Sequence, residues 1–175
     1  MYLLGNFGVA AKCLEHNRAR KPGDRGNIFA KNTYITKLPK KLTFGNLSDQ
    51  NLMFYSGCVS YRITPEMIRK AGTEGRLLVD VSGMQGALVR VSDNEGNKLA
   101  VLGWDPYVAD VTEYAETGFV LTLVCTRKNT FGPLHLFTAL PEATGPEHFT
   151  ADGDCFTENY SLVSSRLGQI LLKRV

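Results

Sequence analysis

The chain has 175 residues, 43% of them hydrophobic and 21% charged; that size and balance suit one folded domain and exclude an intrinsically disordered chain. The 20 Lys and Arg against 17 Asp and Glu leave a formal charge of +3, too small to imply a nucleic acid or an anionic membrane unless it is clustered. Glycine, at 17 residues, is about one residue in ten against a usual ~7% and falls at short intervals, as turn residues do.

Residues 1–9 read as a strand from the second residue, with no charged leader and no small-residue cleavage site. This start predicts a domain excised from a longer chain. Residues 10–20 are mixed and read as a second strand paired with the first. Residues 21–27 are a loop and 33–38 alternate as a strand. Residues 52–63 form the strongest strand pattern, with Gly57 at the middle marking a bulge or a close backbone approach. One helix signal follows: Thr64 to cap, Pro65 at the first position, Glu66 in the first turn and Gly72 to stop. Residues 76–82 and 86–92 alternate as strands, 93–97 make a hairpin tip, and 98–102 return. Asp110 to Tyr114 form a capped turn before Gly118, and 119–126 are a strand. Residues 127–135 are a polar loop, 141–154 are turn-rich, and 158–163 and 168–173 supply the last strands. Strands at short spacing with almost no helix predict an all-β sandwich or jelly roll with one or two short helical turns, occupying residues 1–175 as a single domain.

No run approaches the ~20 apolar residues of a membrane helix. Cys13, Cys58, Cys125 and Cys155 form no CxxC pair, so a zinc knuckle is not indicated and the expectation is free thiols, mostly buried. No nucleophile elbow, zinc-protease helix or phosphate loop is present. Asp105, Asp110, Glu113 and Glu158 could serve as the carboxylate pair of a glycosidase, but 17 acids in any chain give pairs by chance, and Asp110 reads better as a turn residue beside Thr112. The chain is therefore expected to be non-catalytic. Asp152, Asp154 and Glu158 offer oxygens to a calcium ion without the spacing of an EF-hand loop; the plain reading is a solvated turn, and no cofactor is expected beyond a structural calcium.

A sugar site needs an aromatic face and planar polar groups for hydroxyls. Trp104, Asp105 and Tyr107 lie in one Pro-containing segment, and Arg127, Asn129 and His135 lie in one loop. These six are the candidate carbohydrate-binding residues. The competing readings are that Trp104 packs in a core or on a neighbouring domain, and that the loop residues hold their own turn. The basic residues at 18–25 and 37–41 have no interleaved aromatics for stacking nucleic acid and read as a solvated face.

Residues 77–135 resemble the galactose-binding-like β-jelly-roll domains of glycoside hydrolases, such as the sugar-binding domain of the β-galactosidase and β-glucuronidase family. The resemblance rests on Val89-Arg90-Val91, then Asn94-Glu95-Gly96, Trp104-Asp105-Pro106-Tyr107, Asp110-Val111-Thr112, Gly118 and Val120 to Leu123. Phe54-Tyr55-Ser56-Gly57, Gly132-Pro133-Leu134-His135 and Tyr160-Ser161-Leu162-Val163 are similar to C-terminal modules of large, α-L-rhamnosidase-like glycoside hydrolases. The family's VNGxxxG hairpin is longer or shifted here, at Val91 to Gly96. What the resemblance implies is an accessory module that binds carbohydrate and serves the catalytic domain of a parent glycoside hydrolase. The alternative is a module that braces that domain without binding glycan.

Overall fold

The computed structural model describes residue 3 and residues 5–17, 27–126, 134–136, 156–163 and 165–175. In chain order its elements are β1 (Gly8–Asn17), β2 (Asn27–Thr36), β3 (Gly45–Asn46), a 3-10 turn (Ser48–Gln50), β4 (Cys58–Ile63), helix α1 (Pro65–Arg69), β5 (Leu77–Asp80), β6 (Leu88–Ser92), β7 (Lys98–Leu102), β8 (Val108–Asp110), a second 3-10 turn (Thr112–Tyr114), β9 (Phe119–Val124), β10 (Leu134–Leu136), β11 (Phe156–Leu162), β12 (Arg166–Leu167) and β13 (Leu171–Arg174). The fold is an all-β sandwich in several antiparallel sheets, as the strand spacing predicts. The chain groups into two compact units: residues 1–56 with 127–165, and residues 57–126 with 166–175.

In the first unit a four-stranded sheet runs in the order β1-β2-β11-β10. Its buried centre is Ile28, Ala30, Met53 and Leu162, with Val9, Ala11, Leu14, Phe54 and Tyr160 packed against them. Phe54 and Tyr160 meet edge to face, with ring centroids 5.5 Å apart, the arrangement that sets a positive ring edge against a negative face. Residues 10–17 do not fold back on 1–9. They extend the same strand, which pairs with β2 from Gly8 opposite Thr36 to Asn17 opposite Asn27. The register gives every residue of the strand but Lys12 a partner on β2, where a short fold-back within 1–20 would leave much of their backbone unpaired.

The second unit holds a three-stranded sheet, β13-β5-β8, and a four-stranded sheet, β4-β9-β6-β7. Each strand buries alternate residues: Val59, Tyr61 and Ile63 on β4; Leu77 and Val79 on β5; Val89 and Val91 on β6; Phe119, Leu121 and Leu123 on β9. Period-two side chains put these on one face of each sheet, and that face is the core. The expected strand over 52–63 begins only at Cys58. Residues 52–56 belong to the first unit, so Gly57 stands where the chain passes from one unit to the next. The helix forms as its caps predict: Thr64 accepts a hydrogen bond from the Met67 amide at 3.4 Å, and Pro65 takes the first turn. The hairpin tip also forms. The Asp93 carboxylate accepts the Glu95 and Asn97 amides at 2.9 and 2.8 Å, and Gly96 takes a positive φ of 94°.

Cys13, Cys58 and Cys125 form no disulfide, and only Cys125 is buried. Cys13 and Cys58 sit at outward-facing strand positions and are exposed, which corrects the expectation of mostly buried thiols. Cys155 lies outside the described residues.

Candidate functional site

The segment from Gly103 to Tyr107 carries the chain from β7, an edge of the four-stranded sheet, to β8, an edge of the three-stranded sheet. Register fixes its neighbours. Leu102 at the end of β7 pairs with Val89 near the start of β6, and Leu88 pairs with Val124 at the end of β9. Val124 pairs in turn with Cys58 at the start of β4. On the other sheet, Val108 pairs with Asp80 at the end of β5, and Asp80 with Leu171 at the start of β13. The Trp104 segment thus closes one end of the sandwich.

Within that segment the side chains divide. Trp104 is 73% exposed, so its indole is not a core group of the chain. Asp105 and Pro106 are exposed as well, and the Asp105–Pro106 peptide is cis. Tyr107 is half-buried, and its carbonyl accepts the Val81 amide at 2.9 Å, which ties the segment to the three-stranded sheet. A rigid anchor at Tyr107 beside an open indole is an arrangement that can present one aromatic face to a ligand without a large ordering cost.

Next to it, Asp80 is already engaged. Its carboxylate accepts the Ser82 amide at 2.9 Å and the Ser82 hydroxyl, and the Lys173 ammonium stands 3.6 Å away. These contacts, the Ser82 hydroxyl foremost, hold its carboxyl below the usual carboxylate range. Asp80 therefore closes the turn after β5 and is a poor candidate for a hydroxyl acceptor, whereas Asp105 is exposed.

The six candidate residues do not gather into one described cluster. Trp104, Asp105 and Tyr107 share the segment above. Arg127 and Asn129 lie outside the described residues. His135 falls in β10, the edge strand of the first unit's sheet, and only its backbone is described. Asp152 and Asp154 also lie outside the described residues, and Glu158 is in β11. No group of three or more His, Cys, Asp or Glu is gathered for a metal among the described residues. Asp110 is held as a turn residue: its carboxylate accepts the Thr112 amide at 3.0 Å and the Thr112 hydroxyl at 2.5 Å.

No sequence motif marks Arg62 and Arg90, which stand on the outward face of the four-stranded sheet. The signal was the alternation itself: in 58–63 and 88–92 the arginines occupy the phase opposite the buried residues. No protein-family model, curated protein or solved structure matches this chain.

Proposed function

We propose that the chain is a non-catalytic carbohydrate-binding module that serves the catalytic domain of a glycoside hydrolase. The observation that supports this most is the exposure of the single Trp, at 73%, in a short segment anchored by Tyr107 at one end of a β-sandwich. Burying an indole takes more apolar area from water than burying any other side chain, so leaving it open forgoes stabilisation that a ligand can recover. Its flat face suits the C–H face of a pyranose ring, and the Asp105 carboxylate beside it suits hydroxyl donors. The ordered motifs quoted above support the family reading and the parent enzyme with it.

Titration calorimetry with rhamnose, galactose and glucuronate tests the reading. Millimolar binding that Trp104→Ala abolishes, with the thermal midpoint unchanged, supports it. Absence of binding to all three at millimolar sugar overturns it and leaves a bracing module, whose Trp104 would instead be covered by a neighbouring domain.

A further inference from the structure

We infer that the outer face of the four-stranded sheet in the second unit is a separate binding surface for a carboxylated saccharide, a uronic-acid-bearing glycan. This rests on the carbohydrate reading above but not on Trp104. The face is set by register. One cross-strand row is Ser60, Thr122 and Arg90, with Val101 next to Arg90; the row on one side is Cys58, Val124 and Leu88, and on the other Arg62, Val120 and Ser92. All of these are exposed or half-buried, while the alternate residues of the same strands form the core.

Charge on this sheet is one-sided. The four strands carry Arg62, Arg90 and Lys98 and no Asp or Glu. No salt bridge engages Arg62 or Arg90 among the described residues, although Arg76, Lys31 and Lys173 each have a carboxylate partner. The Arg90 guanidinium crosses β9 to lie 3.7 Å from the Cys58 sulfur on β4, and the mutually bonded hydroxyls of Ser60 and Thr122 (2.9 Å) share Arg90's own row. Two strand spacings of roughly 4.8 Å and a two-residue rise of roughly 6.8 Å put the Cα atoms of Arg62 and Arg90 about 12 Å apart. The Arg90 fork leans toward Cys58, away from the Arg62 row; long flexible stems anchored at that Cα spacing let each guanidinium take a carboxylate of one extended ligand.

The chemistry between the arginines selects the ligand class. Small hydroxyls and short aliphatic side chains match the alternating hydroxyl and C–H surface of a sugar chain. The face presents no aromatic and no Met. That argues against a protein partner, since protein interfaces draw their energy from buried aromatic anchors. It argues equally against single-stranded nucleic acid, which needs stacking platforms.

The test uses the whole chain with an oligogalacturonate and the same oligosaccharide fully methyl-esterified, which keeps the sugar and removes the charge. Binding of the acid form, weaker by at least about tenfold for the ester and for the Arg62→Gln/Arg90→Gln pair, and weakened by salt, is the expected result. The preference for acid over ester should persist in Trp104→Ala, whatever that variant does to sugar affinity as a whole. Equal binding of acid and ester overturns the inference, and so does an unaffected double variant. Tighter binding of polyglutamate than of oligogalacturonate overturns it in favour of an acidic protein segment. If oligogalacturonate does not bind but a neutral sugar binds through Trp104, this face is rejected and the carbohydrate reading survives; if no saccharide binds, both fail. Both arginines are exposed, so thermal melts of the double variant should match the parent and keep the comparison valid.

Discussion

Arg76 and Asp110 form a two-pronged contact on a single oxygen: the Arg76 Nε and Nη2 donate to Asp110 Oδ2 at 3.0 and 2.7 Å. The other carboxylate oxygen accepts the Thr112 hydroxyl and amide. The Thr112 hydroxyl, then Arg76, then the Thr112 amide hold the Asp110 carboxyl down to about 2. Because the folded value lies below the unfolded one, the group stabilises the fold above the unfolded carboxylate range near ~3.9, and that contribution is lost as pH falls toward 2. The thermal midpoint should therefore drop between about pH 4 and pH 2, and Asp110→Asn should flatten that part of the profile. An equally steep profile in the variant would assign the acid sensitivity to another carboxylate.

Thr112 works in both directions. Its hydroxyl donates to Asp110 and accepts the Leu77 amide at 2.9 Å, and so joins the end of β8 to the start of β5. Thr112→Val keeps the shape and removes both bonds. It should cost about 1–3 kcal/mol, the penalty for stranding a partly buried donor, while Thr112→Ser should restore most of it. Urea unfolding of the three proteins measures the difference. If valine and serine behave alike, the relay contributes nothing.

Two glycines separate backbone strain from crowding. Gly96 has φ 94° with open space around it, and Gly118 has φ 78° with the Ile63 carbonyl oxygen where a Cβ would sit. Alanine at Gly96 carries only the left-handed cost of about 1–2 kcal/mol. At Gly118 it adds a collision with backbone, which cannot move aside without disturbing the end of β4. Gly118→Ala should therefore destabilise clearly more than Gly96→Ala, and asparagine, which tolerates this region, should rescue only position 96. Comparable losses at both sites would mean that the Ile63 carbonyl shifts freely.

Local chemistry was legible and long-range pairing was not. Thr64 and Pro65 announce their helix because capping is decided within four residues, and Asp93 announces its hairpin tip for the same reason. The run 52–63 looks continuous because periodicity has no means of showing that residues 52–56 and 58–63 serve different units. Residues 10–17 show the same limit, since their partner strand β2 lies further along the chain. Of the candidate site, the Trp104 segment was legible as a loop from Pro106, but the exposure of its indole depends on what the rest of the chain leaves uncovered. The Asp110-Val111-Thr112 motif, read as a family signature, is a lock between β5 and β8. It speaks for the fold more than for a ligand. Arg62 and Arg90 share a face only once β4 and β6 are known to flank β9.

The sharpest contrast lies between two aromatics. Phe119 is fully buried at the start of β9, whereas Trp104 is 73% exposed. Truncating a buried Phe removes its transfer free energy and leaves a cavity, so Phe119→Ala should cost about 3–5 kcal/mol. Trp104→Ala removes a side chain that the fold scarcely uses and should stay within roughly 0.5 kcal/mol of the parent. Differential scanning calorimetry of the two variants measures both. A loss at Trp104 comparable to that at Phe119 would make the indole a packing residue, and the sugar platform would have to be sought elsewhere. A silent Trp104 with lost sugar affinity would instead place its whole role in binding.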